Sequence, residues 1–127
     1  MWTVGLKKTL VVIGIILLGS LGADASVAND AERPLRVRVS PTMAHAPADL
    51  FIYVSVARRP ENRLLRVTAE SEDFFRSSDT QLDGEYSARV TMVRFRELPP
   101  GGYEIKAELI VSSGRTSDVA KRTVEIF

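Results

Sequence analysis

The chain has 127 residues, 45% hydrophobic, 26% charged and 7% aromatic, and its 17 Lys and Arg against 16 Asp and Glu give a formal net charge of +1. That apolar content excludes a disordered tail, and the near-neutral balance lacks the basic excess of a typical nucleic-acid binder. With no cysteine and one His, the composition excludes a disulfide framework, a thiolate nucleophile and any multi-histidine metal cluster, and leaves a His-dependent triad one candidate centre.

The apolar residues are unevenly spread. Met1–Thr9 carries Lys7 and Lys8 and no acid, and Leu10–Leu18 (LVVIGIILL) is almost purely aliphatic. Two small-residue sites follow, Ala23-Asp24-Ala25 and Ser26-Val27-Ala28. A positive start, a short greasy centre and an A-x-A-like site make up a secretory signal peptide, with cleavage after Ala25 or Ala28. The rival readings rank below it. An uncleaved anchor needs about 20 apolar residues to cross the hydrocarbon layer, and Leu10–Ala23 is shorter and holds three glycines. A buried core helix fits poorly with a lysine pair before so pure an aliphatic block. Lys7, Lys8 and Asp24 leave with the leader, so the 17 bases and 16 acids become 15 and 15. The exported part is therefore neutral, with no global field to steer it onto nucleic acid or anionic lipid. A membrane role is expected only through a retained leader.

Residues 29–33 read as a flexible lead-in closed by Pro34, and the domain proper as 34–127. Leu35–Ser40 (LRVRVS) alternates perfectly, which predicts a half-buried strand. Pro41–Pro47 reads as a loop. Leu50–Ala57 (LFIYVSVA) is apolar on both faces and predicts a central strand, and Arg58–Arg63 a turn around Pro60 and Asn62. Leu64–Glu70 predicts a strand with Leu65, Val67 and Ala69 on one side. In the polar stretch Ser71–Glu85, only Phe74–Arg76 suggests an edge strand, and Asp83-Gly84 marks a tight turn. Tyr86–Arg96 predicts a long strand with Tyr86, Ala88, Val90 and Met92 in phase, and a bulge near Met92–Val93 where Val93 and Phe95 fall out of phase. Leu98–Gly102 (LPPGG) is a corner. Tyr103–Val111 alternates with Tyr103, Ile105, Ala107, Leu109 and Val111 inward, Ser112–Thr116 is a hairpin-type loop, and Asp118–Phe127 is a last strand.

Six strands and a candidate seventh, with no sustained helical period, predict an all-β antiparallel sandwich of one domain. The segment Leu98–Tyr103 (LPPGGY), followed by strand, turn and terminal strand, resembles the E–F corner of fibronectin type III and related immunoglobulin-like domains. That resemblance implies a tyrosine corner: Tyr103 bonding upstream backbone through its hydroxyl, Leu98 packing beside its ring, and Gly101 in the bend. The family pattern is incomplete, because the one Trp is Trp2 in the leader and the paired cysteines of antibody domains are absent. A superfold of this kind implies architecture, not activity.

Candidate chemistry is sparse. His45 stands alone in a loop without partners for a copper or zinc site. Glu72, Asp73, Asp79, Asp83 and Glu85 gather acids near one another, but Gln81 is both the residue two after Asp79 and the residue two before Asp83, so EF-hand spacing is not met. Ser112, Ser113 and Thr116 lack a nucleophile elbow. Arg58, Arg59, Arg63 and Arg66 cluster around one turn and are the candidate binding surface, since paired guanidiniums capture carboxylates or phosphates; the plain alternative is a charged sheet face. The last strand, apolar to Phe127, either closes the sandwich or offers an edge to a partner's strand. The leading expectation is an exported, non-catalytic immunoglobulin-like module, with no cofactor or metal, that binds a protein or glycan or serves envelope assembly. The alternatives are a small enzyme or metal-handling protein with a loop-built site, and the same module held by an uncleaved leader.

Overall fold

The computed structural model describes residues 33–127. The leader, its cleavage sites after Ala25 or Ala28 and residues 29–32 of the lead-in lie outside the described residues. The chain divides after Arg33, and no helix among the described residues is long and apolar enough to cross a membrane. The unit Pro34–Phe127 holds β1 (Leu35–Ser40), β2 (Met43–Ala44), β3 (Ala48–Val56), β4 (Asn62–Glu70), β5 (Phe75–Gln81), β6 (Val90–Leu98), β7 (Gly101–Val111) and β8 (Thr116–Ile126). One sheet has the order β1-β3-β6 and the other β2-β8-β7-β4-β5. Neighbours run antiparallel except β2, which lies parallel to the end of β8 through Met43↔Glu125 and Ala44↔Ile126. The all-β sandwich is as predicted, with eight strands in place of about seven.

Side-chain alternation explains which face each strand buries. In β1, Leu35, Val37 and Val39 are buried while Arg36, Arg38 and Ser40 are exposed, in unbroken register with β3 from Leu35↔Val56 to Ser40↔Phe51. The central strand β3 buries Leu50, Ile52, Val54 and Val56 and half-buries Phe51, Tyr53 and Ser55, which is why it reads as apolar on both faces. From the other sheet Leu65, Val67 and Ala69 of β4 and Tyr103, Ile105, Ala107 and Leu109 of β7 face them across one shared core. Each fully buried aliphatic side chain contributes about 1.5–3 kcal/mol, and with no disulfide this core carries the fold.

Four expectations need correction. The strand predicted over Tyr86–Arg96 begins only at Val90, after a single 3-10 turn at Gly84–Tyr86, and its buried phase is Val93, Phe95 and Leu98. Val90 and Met92 are each 53% exposed and Tyr86 is 82% exposed. The reason is register: Val93 lies opposite Ile52 and Phe95 opposite Leu50, and directly opposed residues share a face. The irregularity expected near Met92–Val93 sits instead across from Ala48 and Leu50, close to Leu98. The Phe74–Arg76 edge strand runs from Phe75 to Gln81, because β4 zips Glu70 to Leu64 against it and supplies what its polar sequence lacks. The loop Pro41–Pro47 contains β2, which no local pattern announces. Within the turn, Gly84 holds φ +54, and a Cβ there would come within 2.9 Å of the Pro60 carbonyl oxygen.

Candidate functional site

The four arginines of the predicted surface have different surroundings. Arg58 Nε donates to the Ser87 carbonyl at 3.1 Å, and one terminal nitrogen of Arg63 donates to the carbonyls of Pro60 and Asn62 at 2.6 and 2.8 Å. Arg66 forms a two-point pair with Asp79 across β4 and β5, at 2.9 and 3.2 Å. That hydrogen-bonded guanidinium holds the Asp79 carboxyl below the ordinary carboxylate value, and the carboxylate in turn raises Arg66. Arg59 is exposed on the turn. Of the four cations, Arg66 is paired with a carboxylate, and Arg58 and Arg63 donate only to backbone carbonyls. Asn62, expected in the middle of the turn, is instead the first residue of β4; it is buried and its Nδ2 donates to the Ala57 carbonyl at 2.9 Å.

At the corner, the Tyr103 hydroxyl donates to the Pro99 carbonyl at 2.7 Å, while its ring meets Phe74 edge-on at 6.3 Å between centroids. Leu98 beside it is fully buried, and a Cβ on Gly101 would lie 3.2 Å from the Ser71 Cβ. These three residues hold the strand crossing from β6 to β7. Opposite them, Asp49 Oδ1 accepts the Glu97 N–H at 2.9 Å and Oδ2 accepts from Arg94 at 2.6 Å. Glu97 sits at φ +55, a left-handed conformation that is rare without glycine. The Glu97 amide first, and then Arg94, hold Asp49 below the ordinary carboxylate value.

The remaining candidates stay apart. His45 is exposed, with its ring 5.9 Å from that of Phe127. Glu72, Asp73, Asp83 and Glu85 are exposed, as are Ser112, Ser113 and Thr116 around the β7–β8 loop. No group of three His, Cys, Asp or Glu suited to holding a metal occurs among the described residues. The end of β8 is covered from within the chain: the amides of Glu125 and Phe127 donate to the carbonyls of Thr42 and Ala44 at 3.0 and 2.9 Å.

A larger concavity than those beside Pro60 and Tyr86 and beside Glu70 and Glu72 lies along β1. This strand ends its sheet, and β8 is its nearest neighbour in the other sheet on that side. An open groove of about 550 Å³ follows the line between them. Arg36 and Arg38 stand on the outward face of β1, with Tyr53 and Ser55 of β3 beside them, and Arg122 projects from β8. The Arg38 guanidinium lies 4.7 Å from the centre of the Tyr53 ring, close enough for a cation–π contact that fixes its direction. No carboxylate lines the groove. Arg36 and Arg38 are legible in the sequence as the polar phase of an alternating strand, but nothing local joins them to Arg122, far along the chain.

No protein-family model matches this chain, and no curated protein matches it in sequence. Solved structures do resemble it. A superoxide reductase (neelaredoxin) from Ignicoccus hospitalis superposes with a TM-score of 0.60 at 10% identity, over 75% of this chain and 81% of that one. A variant of the same reductase gives 0.56 over the same shares. A family 76 glycoside hydrolase from a bovine Bacteroides thetaiotaomicron strain gives 0.52 at 11% identity, over 72% of this chain and 20% of that one. Identities this low establish a shared β-sandwich and nothing finer. They also correct the leading functional expectation. The preference for a non-catalytic module rested on the sparse candidate chemistry of the sequence. A reductase covered over 81% of its chain shares this architecture, so the alternative of a small enzyme or metal-handling protein is the better-backed reading, with the expected loop-built site replaced by a groove lined mainly by strand residues. The described residues do not fit a multi-ligand metal centre, since the lone His45 has only an aromatic ring against it.

Proposed function

We propose that this chain is an exported, immunoglobulin-like sandwich domain that handles a small molecule in the groove between β1 and β8. The observation that carries the reading is the groove itself, about 550 Å³ and lined from both sheets, in the size range of small-ligand sites. Support for the immunoglobulin-like class comes from the strand orders β1-β3-β6 and β2-β8-β7-β4-β5 and from the Tyr103–Pro99 corner bond. Support for export comes from Lys7 and Lys8, the Leu10–Leu18 block and the small-residue sites at Ala25 and Ala28. The reductase likeness supports a chemical site on such a sandwich, without supplying its reaction.

The test is amide-shift mapping of the full-length chain against a panel of neutral, cationic and anionic small molecules. Saturable shifts gathered on Arg36–Val39, Tyr53–Ser55 and Arg122–Thr123 are expected for at least one class. A panel that moves only resonances outside these segments overturns the assignment of the groove.

A further inference from the structure

We infer that the groove along β1 is built for a phosphate-type oxyanion, an assignment that rests on the small-molecule reading above and gives its ligand a charge and a geometry. Arg36 and Arg38 are two residues apart on one strand face, so their Cα atoms are about 7 Å apart and their side chains emerge together. Arg122 comes from the other sheet. Placing three cations around one concavity costs repulsion, and elsewhere this protein relieves such repulsion with acids: Arg66 on Asp79, Arg94 on Asp49. In the groove it does not, for none of its lining residues is acidic.

The guanidiniums are also available. Neither Arg36 nor Arg38 is ion-paired with a carboxylate among the described residues, and Arg122 spends one terminal nitrogen on the neighbouring Lys121 carbonyl at 2.7 Å. Arg38 is held over Tyr53, which orients its donors without neutralising its charge. Thr42, Ser55 and Thr123 line the same groove and bring hydroxyl-bearing side chains to it. Planar, five-donor guanidiniums around one groove suit the oxygens of a tetrahedral oxyanion, which accepts several charge-assisted hydrogen bonds at once. A cation would meet three like charges and no carboxylate there. A neutral apolar ligand would leave the guanidiniums without partners.

The probes are inorganic phosphate and, in a separate arm, phosphatidylglycerol vesicles, added to the full-length chain at low ionic strength. Amide shifts or sedimentation with the vesicles read the binding. Phosphate is expected to shift Arg36–Val39, Tyr53–Ser55 and Arg122–Thr123 saturably. Arg36→Gln with Arg38→Gln, and Arg122→Gln alone, should each weaken the affinity roughly tenfold or more. Arg58→Gln with Arg59→Gln should leave it unchanged, and the melting temperature of each variant checks that the fold survives. Binding to vesicles but not to free phosphate, with the same dependence on Arg36, Arg38 and Arg122, supports the oxyanion and names a lipid headgroup as its source. Affinity indifferent to these three residues, or shifts scattered equally over Arg58, Arg59 and Arg115, overturns the inference. A groove that binds neutral or cationic molecules but neither oxyanion probe overturns the inference while leaving the small-molecule reading standing.

Discussion

Tyr103 is 2% exposed, and its hydroxyl closes the corner on Pro99 at 2.7 Å. Tyr103→Phe keeps the ring and its edge contact with Phe74 but strips that hydroxyl from the carbonyl. The expected loss is about 1–2 kcal/mol of unfolding free energy, read from the urea midpoint at unchanged slope. Asp49 and Asp79 act through ionisation. Both carboxyls are held below their ordinary value of 3.8 by hydrogen bonds to their charged form, Asp49 chiefly by the Glu97 amide and Asp79 chiefly by Arg66. A depressed folded pKa stabilises the fold fully above the unfolded value and loses that contribution as pH falls through the folded one. Stability should therefore be flat from neutrality to about pH 5 as far as these two groups are concerned, and decline below about pH 4. The double change Asp49→Asn, Asp79→Asn should lower the urea midpoint at pH 7 and flatten the acid limb. An acid limb as steep as the parent's would show that these groups do not carry it.

At the scale of elements, β6 separates local pattern from register. Tyr86, Ala88, Val90 and Met92 form a tempting apolar series, yet β3 accepts Val93 and Phe95 into the core. Met92→Glu should therefore cost no more than about 0.5 kcal/mol, as an ordinary surface change. Val93→Glu should abolish the folded amide spectrum, because it buries a charge without a partner. Equal effects would mean that the strand sits in the other phase. On the opposite sheet, Glu70 of β4 lies directly across from Glu104 of β7. Like charges in that position repel, so Glu70→Gln should raise stability by roughly 0.2–1 kcal/mol, less in high salt. The same pairing logic explains the turn before β4: its arginines looked like a binding surface because they are close in sequence. Folding turns Arg58 onto Ser87, Arg63 onto Pro60 and Asn62, and Arg66 onto Asp79.

For the whole molecule, one core joins both sheets, from Leu50 and Ile52 of β3 to Leu65, Ile105 and Leu109 opposite. Ile52→Ala and Leu109→Ala, one in each sheet, should each cost about 2–5 kcal/mol and move a single shared transition. Separate transitions for the two sheets would contradict a common core. Charge is distributed on the same scale. A domain with balanced counts is not a domain without a field: the three-stranded sheet carries Arg36, Arg38, Arg94 and Arg96 against Asp49 and Glu97, while bases and acids balance on the strands of the five-stranded one. A net charge near zero does not by itself exclude a locally cationic surface, because fields follow positions, and sums do not record positions.

What the sequence determines by itself is whatever period-two alternation and turn chemistry encode. β1, the inward faces of β4 and β7, the LPPGGY corner and the all-β class are legible because a half-buried strand must alternate and a corner needs its prolines and glycines. What only the tertiary structure decides is whatever depends on a partner strand. The phase of β6 follows from β3, the existence of β2 from the end of β8, and the length of polar β5 from its pairing with β4. The groove belongs to this second class. Arg36 and Arg38 share a groove with Arg122 only because β1 of one sheet lies beside β8 of the other, and proximity between distant residues leaves no mark in the local pattern of either.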